Sequence, residues 1–294
     1  MKQKSFPREI ELNGKFMNSF AGYSKLSLFA NNLFSSKNHD VYLDCSELKW
    51  FSGSMGALLS ALVARFVAET GKRVRYRNLS REVRVYFGKS KIISEKNVDK
   101  WGTVIPVKYF SLDDPKEFSK YTVNGFENKN LPQMSKSLKN KFFEALDEIY
   151  SNASYWSKST QGVYVSGQFF PKEKHLDYSI VDLGRGFGMT LYEEKGVTLP
   201  DEKAIDWAMK DNNTTKTLNI PGGIGLKIIR DFIEINGGKL QVVSHGGFWS
   251  FSSTGVIKKK LPYKIPGTVV NLVIDTSDTR RYHLREEISS DDIF

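Results

Sequence analysis

The sequence is poor in the side chains that build covalent staples and metal sites. Among 294 residues there is one cysteine, Cys45, and four histidines, His39, His175, His245 and His283. A single cysteine excludes an internal disulfide, fits a reducing compartment, and reads as core filling. The histidines have no metal-ligand spacing. Long apolar runs are also missing. The most apolar stretch, Gly56 to Ala68, carries Arg65 and is too short to cross a bilayer core of about 30 Å as a helix. The N-terminal residues Met1 to Pro7 are charged and lack the apolar run of a signal peptide. No repeat or low-complexity tract occurs. These absences predict a soluble, cytoplasmic protein with no membrane partner.

What is present is a charge imbalance. The net charge of +10 divides into +9 over residues 1–130 and +1 over the remainder. Within the first part, Arg65 to Lys91 carries nine basic and two acidic residues, including Lys72-Arg73-Val74-Arg75-Tyr76-Arg77. A nucleic-acid or acidic-partner surface and a solvated strand-and-helix edge both fit that run. The length favours two domains, each able to bury its own core.

Residues Arg8 to Phe20 read as a strand leading into a loop, and Tyr23 to Leu33 as an amphipathic helix. Val41 to Cys45 is a short apolar strand. Met55, Leu58, Leu59, Leu62, Val63 and Phe66 then recur at helical intervals over Ser54 to Ala68, and Gly71-Lys72 ends that helix before a strand at Val74 to Arg77. Strand, helix, strand at this spacing predicts a crossover unit in a mixed sheet. Asn78 or Ser80 caps a further helix that turns Val83, Tyr86 and Phe87 inward. Residues 96–134 are less periodic and hold the connection to the second domain, with Trp101 to Phe110 as an alternative strand pair belonging to that domain.

The second half carries the chemistry. Leu138, Phe142, Leu146 and Ile149 lie on one face of a helix, with Glu148 and Asn152, four residues apart, on an adjoining stripe. Such a pair can hold a divalent cation through the amide oxygen while the carboxylate orients or deprotonates an attacking hydroxyl; an ordinary solvated helix face fits the same two residues. Strand Tyr178 to Val181 runs into Asp182-Leu183-Gly184-Arg185-Gly186-Phe187-Gly188. A carboxylate at a strand end can accept from the amine of adenine, and the glycines let backbone lie close to base and sugar. A dinucleotide-binding fold is the competing reading, but its Gly-x-Gly-x-x-Gly spacing with a prompt helix is not found. Roughly thirty residues separate the Asp182 to Gly188 turn from the next glycine cluster, among them a short helix at Asp201 to Met209 and a polar stretch containing Lys216, and that length suggests a mobile lid. Pro221-Gly222-Gly223-Ile224-Gly225-Leu226 opens a helix to Ile235, whose free amides make a phosphate site. Two more strands come after it, at Lys239 to Ser244 and Gly267 to Ile274, the second carrying Thr268.

Taken in order, the Glu148/Asn152 helix, the Asp182 to Gly188 turn, the Pro221 to Leu226 turn and Gly267-Thr268 resemble the GHKL ATPases, the superfamily of gyrase B, a heat-shock chaperone family, histidine kinases and MutL. The resemblance covers roughly residues 138–275. It implies a Bergerat ATP-binding α/β sandwich that holds ATP and Mg²⁺. Carried over by position, Asn152 binds the metal, Asp182 the adenine amine, and Gly184 and Gly186 shape the base pocket. Gly223 and Gly225 cradle phosphate, and Thr268 supports adenine; Lys216, in the polar stretch, reads either as a lysine that reaches the phosphates or as an exposed loop lysine. Glu148 matches the general base of the hydrolytic members and the acidic residue of the anti-sigma serine kinases. Residues 8–95 resemble a STAS domain, the anti-sigma factor antagonist fold, through Leu43-Asp44-Cys45-Ser46, the Ser52 to Gly56 turn and the Asn78 to Val83 segment. Ser54 takes the place of that family's phosphorylated serine, but Ser52-Gly53 precedes it where the family has aspartate-serine, so Ser54 reads as an N-cap.

The expected architecture is therefore α/β (α+β): a STAS-like mixed sheet with helices over 1–125, a GHKL domain over 126–280, and a flexible tail over 281–294. With no histidine between residues 40 and 174, a conventional histidine kinase is not expected. Gyrase-like and MutL-like readings call for a transducer domain, for which fewer than twenty residues come after Asp275. The expectation that remains is a regulatory ATP-binding protein that uses slow hydrolysis or serine/threonine phosphotransfer to switch protein partners through its N-terminal domain. Its alternatives are an ATP-gated nucleic-acid binder acting through residues 65–91 and an ATP-binding scaffold without turnover. Homodimerisation is left open.

Overall fold

The computed structural model describes residues 6–95, 97–155, 157–159, 161–210 and 224–287. In the N-terminal part the chain forms β1 (Arg8–Glu11), β2 (Gly14–Phe16), α1 (Phe20–Ser35), β3 (Val41–Asp44), β4 (Leu48–Phe51), α2 (Met55–Thr70), β5 (Val74–Arg77) and α3 (Arg81–Lys89). The strands pair in parallel, as a three-stranded sheet in the order β1-β3-β5 and a two-stranded β2-β4 pair. The crossover helices dictate this, because a strand that returns after a helix runs in the direction of its predecessor. Cys45, at the end of β3, is buried, and burial pushes its thiol up to about 12.

The remainder forms β6 (Val104–Phe110), α4 (Pro115–Phe126), β7 (Gln133–Met134), α5 (Lys136–Tyr155), β8 (Val163–Phe170), β9 (His175–Asp182), α6 (Gly186–Lys195), α7 (Asp201–Ala208), α8 (Ile224–Asn236), β10 (Lys239–Ser252), β11 (Gly255–Asp275) and β12 (Arg281–Tyr282). Five strands make one antiparallel sheet in the order β10-β11-β9-β8-β6. The class is mixed α/β, with parallel sheets and helices at the N-terminal end and this helix-covered antiparallel sheet behind them. Strands β10 and β11 extend well past Ser244 and before Gly267, as a long hairpin turning at Ser252 to Gly255. The sequence hides the extension because the register shifts around His245 break the alternation. Among the described residues, no helix is long and apolar enough to cross a membrane.

Both faces of the five-stranded sheet are buried, and alternation decides what lies on each. Tyr178 and Ile180 of β9 join the core built by α4, α5, α7 and α8, whereas Val181 and the adjacent Leu183 join the core of the N-terminal part. The N-terminal helices α1 and α2 thus form the second covering layer of the sheet, with Phe20 and Tyr23 packed edge-on or tilted against Phe248.

Where α2 begins, that sheet face is polar. Gln241, Asn271, Ser179 and Ser166 stand in one cross-strand row. The Ser166 hydroxyl accepts from Ala57 N at 2.8 Å and lies 2.8 Å from the Gly53 carbonyl. The first turn of α2 is therefore capped from the sheet. This corrects the expectation for Ser54: it stands at the N-cap position, but its hydroxyl makes no capping bond and instead accepts from Asn18 Nδ2 at 2.6 Å. The Ser52-Gly53 wording has a packing cause, since a Cβ on Gly53 would lie 2.6 Å from Gln168 Cβ. Ser80 does cap α3, accepting from Val83 N at 3.3 Å.

Candidate functional site

The sheet register brings two of the predicted residues, Asp182 and Thr268, side by side at one end of the five-stranded sheet. Asp182, the last residue of β9, pairs with Val163 at the start of β8 and with Thr268 of β11, which in turn pairs with Ser244 of β10. Alternation puts Ser244, Thr268 and Asp182 on the sheet face that carries α5 and α8.

Connectivity places the helices. The C-terminal end of α5 leads into β8 and so lies at the Asp182 end. The C-terminus of α8 leads into β10 at Lys239, level with Val273 and Asp177 at the opposite end. Helix α8 therefore runs antiparallel to α5, a packing pinned by Phe142 and Phe232 with ring centroids 5.4 Å apart. Its N-terminus, with Gly225 in the first turn, returns to the end of α5 that bears Glu148 and Asn152. Those two half-buried residues are one turn apart, about 6 Å along the axis. Lys216 and Gly223 lie outside the described residues.

Asp182 is buried, and its Oδ1 accepts from Gly184 N at 2.8 Å. Burial pushes its carboxyl up to about 7, against the pull of the hydrogen bonds from Gly184 and Ser157. An acceptor this dehydrated is matched to a donor such as an exocyclic amine. The glycines beside it are required by the protein's own packing. A Cβ on Gly184 would lie 2.2 Å from the Ser157 carbonyl, and one on Gly186, at φ +69°, would lie 2.5 Å from Ser244 Oγ. Gly186 also opens α6 directly, so the glycine turn runs promptly into a helix, contrary to the sequence expectation. The Ser244 hydroxyl accepts from Phe187 N at 3.0 Å and lies 3.4 Å from Thr268 Oγ1, joining turn and strand.

Three neighbours escaped the sequence reading. Ser157 holds the turn through its carbonyl, which accepts from Arg185 N at 2.7 Å. His245, at φ +49°, stands at the β10 bulge beside the turn, where burial pulls its imidazole below the usual range. Arg65 of α2 donates from Nη1 to the Leu183 carbonyl at 3.1 Å, tying the N-terminal helix layer to the turn. The Gly246-Gly247 pair signals the bulge; nothing in the sequence pairs Arg65 with Leu183.

Part of the remaining basic run is compensated. Arg73 pairs with Asp40 at 2.8 Å, Arg84 with Glu95 at 2.6 Å, and the Arg77 guanidinium lies 3.2 Å from the centroid of the Tyr42 ring. In sheet register Arg77 shares its row with Asp44 and Glu11, and Arg75 shares its row with Glu9. Among the described residues no group of three or more His, Cys, Asp or Glu side chains could hold a metal ion. Compared with protein-family models and with curated protein sequences, the chain matches none.

Proposed function

We propose that this chain is a regulatory ATP-binding protein with a GHKL-type site, in which nucleotide turnover changes the partner held by a STAS-like N-terminal part. The observation that carries the reading is the row Ser244–Thr268–Asp182 on the sheet face beneath α5 and α8, at the end where Glu148, Asn152 and the N-terminus of α8 converge. Asp182 accepts the adenine amine, Thr268 on the neighbouring strand supports the base, and the α8 amides, with Gly225 in the first turn, receive phosphate. Gly184 and Gly186 keep the turn tight enough to present Asp182.

The donor set fits a magnesium ion held jointly with a nucleotide. Asn152 offers one amide oxygen, and without an acidic cluster among the described residues the remaining oxygens come from phosphates and water. Bound there, the ion neutralises phosphate charge. Glu148, one turn earlier on α5, takes the proton of the attacking water or serine/threonine hydroxyl. Ser54 is not an acceptor in this arrangement, because it is buried beneath Asn18. The Arg65–Leu183 bond and the shared core give nucleotide-dependent changes at the turn a route into α2.

The test incubates the pure chain with γ-labelled ATP and Mg²⁺ and tracks label in free phosphate and in protein together. Label in phosphate means hydrolysis and label in protein means phosphotransfer. Saturable ATP binding with label in neither reduces the function to a scaffold, and failure to bind ATP sinks the reading.

A further inference from the structure

A cavity of about 710 Å³ opens at the end of the five-stranded sheet opposite the Asp182 row and on the sheet's other face, between the β2–α1 connection and β4 on one side and the β8–β9 and α8–β10 turns on the other. That volume is typical of small-molecule sites. Its one buried ionisable residue is Asp177, 4% exposed. Asp177 Oδ2 accepts from Asn18 Nδ2 and lies 3.3 Å from Ser52 Oγ. Among the described residues its other oxygen, Oδ1, has no hydrogen-bond donor; the His175 imidazole lies 3.7 Å away and the Lys239 charge acts on the same carboxyl, and the Asn18 amide oxygen is likewise buried without a donor. Each of these buried acceptors calls for a hydrogen-bond donor, and the carboxylate calls for a positive one.

The walls suit the same guest. Trp50, which lines the cavity while 43% exposed, lies against Phe170 with centroids 6.3 Å apart, and Phe170 stacks on His175 at 4.5 Å. Aromatic faces attract cations. Gly237, at the carbonyl end of α8, brings the negative end of that helix to the lining. Glu173, Lys174 and Lys239 are exposed lining residues, and Asp275 Oδ1 is engaged by Ser277. Among the described lining residues the buried charge is thus that of Asp177.

We infer that this cavity is a binding site for a small organic ammonium ion, whose N–H groups donate to Asp177 and Asn18 while its carbon part rests on Trp50 and Phe170. The inference is independent of the ATP reading. Asp177 lies five residues along β9 from Asp182, about 17 Å away, and on the opposite face of the sheet.

The experiment titrates the full chain at pH 7.5 by isothermal calorimetry with 2-phenylethylammonium, its N,N,N-trimethyl derivative, phenylacetate and sodium ion. The primary ammonium is expected to bind saturably, and the trimethyl compound, which has no N–H, more weakly. Phenylacetate and sodium are expected to give no saturable heat. Asp177→Asn should weaken binding about tenfold or more, the loss of one charge-assisted hydrogen bond. Trp50→Leu, at a half-exposed position, should weaken it severalfold with the thermal transition retained, so the question stays answerable if Asp177→Asn unfolds. Equal binding of ammonium and phenylacetate, unchanged affinity in Trp50→Leu and Asp177→Asn, or no saturable uptake of the ammonium would each overturn the assignment.

Discussion

Replacing Asp182 by asparagine should stabilise the ligand-free protein while weakening nucleotide binding. The carboxyl is carried from its ordinary 3.8 to about 7, chiefly by burial. Because the folded-state value is the higher one, the folded state keeps a proton that the unfolded chain has released between about pH 4 and pH 7. Stability therefore falls as pH rises through that window, and the full penalty stands above pH 7. Its size is about 4 kcal/mol, at ~1.4 kcal/mol for each tenfold in the ionisation constant. Asparagine keeps an oxygen to accept from Gly184 N and carries no charge to desolvate. The variant should then melt roughly 8 °C higher than the parent at pH 8, at ~2 °C per kcal/mol for a chain of this length, and only about 2 °C higher near pH 4.5. Differential scanning calorimetry from pH 4.5 to 8 measures both. ATP affinity should move the other way, dropping about tenfold or more with the charge-assisted bond, and in the parent it should rise with pH through 7 as Asp182 ionises. A variant that melts lower at pH 8, or shows the parent's pH slope, would refute the assignment of that slope to Asp182.

Glu148→Ala should abolish phosphate release and phosphotransfer while leaving ATP dissociation within about threefold, since a general base contributes roughly 10²–10⁴ to rate and little to ground-state binding; unchanged turnover would remove its role. Ser166→Ala should lose about 1–2 kcal/mol in urea unfolding, because Ala57 N and the Gly53 carbonyl lose their partner at the start of α2. Full stability would mean that water caps the helix equally well. Gly186→Ala should lose about 1–3 kcal/mol, from a left-handed backbone and a Cβ 2.5 Å from Ser244 Oγ, and should weaken ATP by displacing the turn. Arg65→Ala should leave ATP affinity near the parent's but raise amide exchange at Leu183 and Gly184, the turn that its guanidinium holds; unaltered exchange would cut that link between α2 and the site.

Local pattern alone determined individual helices and strands. Helical spacing marked α2 and α5, and the apolar strand before Asp182 marked β9, because a 3.6-residue or two-residue period is written directly in the side chains. Glu148 and Asn152 became candidates by their place on such a helix and Asp182 by its place at a strand end, whereas Thr268 was a candidate through the family resemblance. Tertiary structure alone decided the rest. The cross-strand row joining Thr268 to Asp182, the capping of α2 by Ser166, the Arg65–Leu183 bond and the pairing of Asp177 with Asn18 all unite residues tens to hundreds of positions apart. No local period encodes such meetings; they arise when α1 and α2 close over one face of the sheet and α5 and α8 over the other.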